Sequence, residues 1–187
     1  KKIGSLIEAP GLYKNCTAYE NMLRFSMLYG ADRKEITPLL QKVGLDNTGS
    51  KKAGDFSLGM RQRLGIAIAL LAHPEVLVLD EPINGLDPAG IKEIRDMIIS
   101  LNNEGVTFII SSHLLDELAK VVTTYGIIAD GKLAEEISAE ELKRRSPDMF
   151  DKNTRNISEA SEWHLGNSSL VEDRTAYTSY NIDFYLR

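Results

Sequence analysis

Four branched apolar residues, Val76, Leu77, Val78 and Leu79, end abruptly in two carboxylates, Asp80 and Glu81. A Gly- and Pro-punctuated turn then leads to Asp87-Pro88 and a new helical pattern. Bounded by His73-Pro74 and Pro82, the run is too short for a helix and reads as a fully buried parallel strand. In open α/β sheets ligands collect at the carboxyl ends of the strands. The pattern therefore delivers two adjacent carboxylates where a phosphate or a metal would sit, as a nucleotide triphosphatase requires.

The flanking sequence agrees with a layered α/β domain. A short strand over residues 1–7 leads through Glu8-Ala9-Pro10-Gly11, a turn or loop. Thr17 opens a helix, Glu20 completes its capping box, and Gly30 ends it. Met22, Phe25, Ser26 and Tyr29 share a face, with Leu28 close by. A second helix is expected over residues 34–43, then a polar loop over 51–56. Ser57 starts the longest apolar helix, with Leu64, Ile68 and Leu71 on one face, and His73-Pro74 ends it. Asp87 and Pro88 cap the next helix, whose buried stripe is Ile91, Ile94, Ile98 and Leu101. A buried strand over residues 106–111 and a short helix over 113–120 follow. Asp130-Gly131 marks a hairpin, and Ser138 with Glu141 marks one more capped helix, ending near Arg145. Such alternation predicts a parallel sheet with helices packed on it. Residues 147–161 are polar and read as a linker. A short helix over 157–165 and a terminal strand carried by Ile182, Phe184 and Leu186 complete the pattern.

Several function classes are excluded or disfavoured. A net charge of −5 argues against a nucleic-acid binder, whose footprint is basic. The longest apolar runs are too short to span a bilayer. No charged start followed by an apolar segment is visible, so no secretory signal is expected. The one cysteine, Cys16, permits no internal disulfide and fits a reducing cytoplasm.

F-S-L-G-M-R-Q-R-L (residues 56–64), V-L-V-L-D-E-P-I-N-G-L-D-P (76–88) and S-S-H (111–113) occur in that order. Together they resemble the nucleotide-binding subunit of an ABC transporter. The stretches over residues 4–21 and 57–71 are similar to the bacitracin and lantibiotic export or immunity type. The resemblance spans residues 3 to about 141. It implies that Asp80 holds Mg²⁺, directly or through water, and that Glu81 polarises the attacking water. Ser57 and Gly59 match a signature motif that faces the γ-phosphate bound by a second subunit, although Leu58 and Met60 replace the usual third and fifth letters. Ser57 is equally an ordinary N-cap. Asp87 matches an aspartate that crosses the dimer interface, and its N-capping role is compatible with that. His113 matches a switch histidine on the γ-phosphate. Glu8 stands where the family usually has glutamine; it would still ligate Mg²⁺ and join the ATP site. Residues 10–21 would face the transmembrane partner.

No G-x-x-x-x-G-K loop to cradle phosphates is present in these residues. The abrupt opening reads as the middle of a domain, so the chain alone is expected to bind MgATP weakly and to turn it over negligibly. The sheet is expected to have an unpaired edge and an uncovered face. The resulting expectation is a partial P-loop-type α/β domain over residues 1–145, with a helical subdomain at about 17–71 and a C-terminal linker and appendage over 146–187. Its implied function is ATP hydrolysis powering export of a peptide antibiotic or similar amphiphile. The implied partners are a transmembrane permease and a second nucleotide-binding subunit, with no nucleic acid. The implied location is the cytoplasmic face of the cell membrane. A truncated non-catalytic subunit and a soluble ABC-type ATPase are the alternatives.

Overall fold

The computed structural model describes residues 2–114, 117, 119–129, 132–145 and 182–186. Strands β1 (Ile3–Ile7), β2 (Val76–Asp80), β3 (Thr107–Ser111), β4 (Thr124–Ala129), β5 (Lys132–Ser138) and β6 (Ile182–Leu186) form one sheet. Their order is β1-β2-β3-β6-β4-β5. β1, β2 and β3 run parallel, with Ile7 beside Asp80 and Asp80 beside Ser111. β6 runs antiparallel to both β3 and β4, so the sheet is mixed and extends beyond residue 145. The helices are α1 (Ala18–Tyr29), α2 (Ile36–Lys42), α3 (Leu58–Leu70), α4 (Pro88–Asn103) and α5 (Ala139–Arg145). Among the described residues, no helix is long and apolar enough to cross a membrane.

The capping chemistry read from the sequence fixes the helix ends. Thr17 Oγ1 accepts from the Glu20 amide at 3.1 Å, and Glu20 Oε2 accepts from the Thr17 amide at 2.7 Å. Gly30 closes α1 with φ 71°, the left-handed conformation that glycine adopts at little cost. α1 buries Met22 and Ser26 as expected, and also Ala18 and Asn21. Leu28 faces outward, 73 % exposed, because α1 packs by one side only, against α2 and α3. Asn21 instead turns inward and ties down the preceding loop: its Oδ1 accepts from the Tyr13 amide at 2.8 Å, and its Nδ2 donates to the Tyr13 carbonyl at 3.1 Å.

α3 is buried nearly all round, Ile66 included, and is the spine of the molecule. It packs on β1, α1, α2 and α4. The segment over residues 51–56 is more than a polar loop. It forms a short 3-10 turn (Ala53–Asp55) whose Ala53 is buried, with buried Phe56 next to it. Its amides at Ala53 and Gly54 donate to the Cys16 and Lys14 carbonyls, both at 2.8 Å.

β2 departs from the fully buried strand expected of it. Leu77 and Leu79 are buried, whereas Val76 and Val78 are only half-buried. The cause lies in the layers. α3 and α4 cover the face carrying Leu6, Leu77, Leu79, Phe108 and Ile110. The opposite face carries exposed Ile3 and Ile7 and half-buried Val76, Val78 and Ile109. Asp80 and Ser111 lie on that more open face, in one row of the sheet with Ile7. Residues 130–131 of the expected hairpin, residues 115, 116 and 118 of the helix expected over 113–120, the linker and the helix expected over 157–165 lie outside the described residues.

Candidate functional site

The carboxyl ends of β1, β2 and β3 gather most of the chemistry-bearing side chains. Glu8 follows β1, Asp80 ends β2 with Glu81 next, and Ser111 ends β3 with His113 two residues on. Two of these corners use strained backbone. Glu8 has φ 52° and Glu81 has φ 48°, the left-handed region that non-glycine residues avoid. In both cases the chain must turn at the residue just after a strand without glycine, and that corner presents an acidic side chain at the strand end.

Glu81 is held from three directions. Its amide donates to the Ser111 carbonyl at 3.0 Å. Its Oε1 accepts from the His113 amide at 3.1 Å. The His113 Nδ1 stands 2.9 Å from both carboxylate oxygens. The histidine ring is 59 % exposed and the carboxylate 29 %, so the pair sits at an open rim. Ser111 Oγ donates to Asp80 Oδ1. Asp80, Ser111, Glu81 and His113 therefore form one connected group across β2 and β3. Sequence reasoning gave no role to Ser111; its signal is the shared row with Asp80, visible only once the two strands are paired.

Ser57, Gly59 and Asp87 make a second group. Ser57 Oγ accepts from the Met60 amide at 3.2 Å and caps α3. Asp87 Oδ1 accepts from the Gly90 amide at 3.1 Å and caps α4, with Pro88 in the first turn. The two helix starts touch. A Cβ at Gly85 would stand 3.3 Å from Leu58, and one at Gly59 would stand 3.7 Å from Leu86. Among the described hydrogen bonds and ion pairs, none joins Ser57 or Asp87 to Asp80, Glu81 or His113.

Among the described residues no three His, Cys, Asp or Glu side chains converge as a cation cage. Asp80 and Ser111 present adjacent hard oxygens, and Glu8 is exposed at the neighbouring strand end. That donor set suits Mg²⁺, which takes one or two carboxylates and fills its shell with water and phosphate oxygens.

The chain is similar to known proteins of one family. The family model described as ABC transporter matches residues 1–84. The bacitracin transport ATP-binding protein BcrA of Bacillus licheniformis is 52% identical over 148 residues, covering 78% of this chain and 48% of that protein. The lantibiotic transport ATP-binding protein SrtF of Streptococcus pyogenes is 51% identical over 133 residues, covering 71% of this chain and 58% of that protein. The chain thus spans about half the length of these relatives. Among solved structures, MJ1267, an ATP-binding cassette of an ABC transporter, superposes with a TM-score of 0.68 at 25% identity, covering 79% of this chain and 65% of that one. The dimeric post-hydrolysis state of the cassette MJ0796, bound to ADP and Pi, superposes with a TM-score of 0.62 at 25% identity, over 74% and 63%.

Proposed function

The chain belongs to the ABC transporter ATP-binding family, and on that premise we propose that it is the catalytic-carboxylate and signature portion of an ATPase that powers export of a peptide antibiotic or similar amphiphile. The observation that carries the reading is the clamp on Glu81. A carboxylate held by a backbone amide and an imidazole, on a strained corner beside Asp80, is placed to orient a water and accept its proton. Export and substrate class rest on the bacitracin and lantibiotic relatives, which are named for transport of those compounds.

In this reading Asp80, steadied by Ser111, holds the Mg²⁺ of the MgATP substrate, and exposed Glu8 assists from the next strand end. The cation supplies charge neutralisation for the triphosphate. Glu81 aligns the attacking water, and His113 keeps the Glu81 carboxylate turned toward it while its exposed ring reaches the γ-phosphate side. Ser57 and Gly59 complete the site of a second subunit, with Asp87 beside them at the dimer contact. The geometry favours this division because the two groups share no described bond. Residues 10–21 face a transmembrane permease subunit, which places the assembly at the inner face of the membrane.

The residues of this chain include no G-x-x-x-x-G-K loop to cradle phosphates, so this chain alone is expected to turn over MgATP negligibly. The test joins an upstream phosphate loop to it. MgATPase activity should then appear, and Glu81→Gln should remove turnover by about 10²-fold or more while nucleotide still binds. Unchanged turnover in that variant would sink the role of Glu81.

A further inference from the structure

Gln62 lies on α3 and is 4% exposed. Its Nε2 donates to the carbonyl of Glu8 at 3.2 Å, across 54 residues of sequence. Its Oε1 is buried and has no hydrogen-bond partner among the described residues. A buried amide with one half unsatisfied lowers stability, and an apolar side chain of equal length would be the more stable occupant. Packing therefore does not explain a glutamine here. What Nε2 holds does: the carbonyl of a residue at φ 52°.

The neighbouring turn of α3 grips the same corner. A Cβ at Gly65 would stand 2.7 Å from Pro10 Cβ and 2.9 Å from Leu6 Cδ1, so helix and strand end are as close as glycine allows. The Glu8 corner is thus clamped by Gln62 on one side and by the Gly65–Pro10 contact on the other. The same helix begins at Ser57, whose hydroxyl caps it at Met60.

We propose that Gln62 is a positioning residue that locks the strained Glu8 corner to helix α3, so that displacement at the Ser57 end of the helix is passed to the Glu8 side chain. The link is a direct hydrogen bond between two elements that the fold otherwise joins by packing. Its functional meaning rests on the roles proposed above for Ser57 and Glu8: engagement of the second subunit's nucleotide at one end would adjust an acidic side chain at the other. The link itself stands independently of those roles.

The test is a coupling measurement by NMR on the full chain without nucleotide, read at the Ala9 amide, which reports hydrogen bonding to the preceding Glu8 carbonyl. Ser57→Ala, which removes the cap of α3, should shift that resonance. In a Gln62→Met background the shift caused by Ser57→Ala should vanish. Gln62→His, which keeps an N–H near the same reach, should restore it. The melting midpoint of Gln62→Met should equal or exceed that of the parent, since the orphaned oxygen is gone. An equal Ser57→Ala response in the parent and Gln62→Met backgrounds would overturn the proposal. So would a lowered midpoint in Gln62→Met with resonances displaced throughout the chain, which would make the amide merely structural. A Glu8 found dispensable for nucleotide binding would instead count against the proposed function and leave the coupling result intact.

Discussion

His113 bonds Glu81 twice, through its backbone amide and through its ring. Only the ring contact depends on the side chain, and the ring is 59 % exposed. His113→Ala should therefore change stability by no more than about 0.5 kcal/mol. In the polypeptide that carries a phosphate loop, the same change should lower turnover on the order of 100-fold. Urea midpoints and MgATPase rates of the one variant separate the two effects; major unfolding would make the histidine structural. Gly59 offers the reverse kind of test. A Cβ there meets Leu86 and Gly90 only at ordinary contact distance, so nothing among the described residues requires glycine at the start of α3. Gly59→Ala should hold or raise stability, by up to about 1 kcal/mol from helix propensity, yet impair ATP turnover in the dimer, where close approach by a nucleotide would use the missing side chain. Lost stability would show a constraint within the subunit; unimpaired turnover would remove Gly59 from the partner's site. Asp80 and Glu81 were legible because an apolar run that ends in two acids admits few other readings. Gln62 was not, since a glutamine in a helix pattern gives no sign that it is buried until the strand end it touches is placed.

Helices α1, α3 and α4 announced themselves through their caps, and the cap of α1 carries a pH dependence that the packing does not. The Glu20 carboxyl is held below its ordinary value of 4.5, first by the hydrogen bond from the Thr17 amide and then by Lys52. A depressed folded-state value means that the cap stabilises α1 at pH above the ordinary carboxylate range. That contribution is lost as the pH falls through the lowered value. Glu20→Gln should flatten this part of the acid limb in urea midpoints followed from neutral to acid pH, and an unchanged acid limb would show that the box adds nothing pH-dependent. Both members of the box were readable because their spacing is local. Element faces were less so. Leu28 fits the helical stripe of α1 and is exposed, and β2 reads as buried on both faces and is covered on one. In each case the pattern states which side chains are apolar, while burial depends on which neighbours the layers supply.

At the scale of the molecule, the terminal strand settles how the sheet is closed. Alternation of Ile182, Phe184 and Leu186 marked a strand, but period-2 patterning carries neither partner nor register, and no local signal could place it between β3 and β4. There it pairs Phe184 with Ile110 on one side and with Tyr125 on the other. The parallel strands β1 to β3, which carry Glu8, Asp80, Glu81 and His113, are thereby joined through β6 to the β4–β5 hairpin. A central strand with two neighbours cannot accept proline: the ring deletes a ladder donor and fixes φ away from the extended value. Phe184→Pro should therefore cost on the order of a few kcal/mol, whereas the same change at an edge strand would cost far less. Hydrogen exchange should distinguish the consequences, with amides of β3 and β4 losing protection together while α1, whose contacts lie with α2 and α3, keeps its own. Retained protection in β3 and β4 would mean that β6 does not join the two halves of the sheet. Joint loss would make the far C-terminal residues a structural requirement of the strand that presents His113.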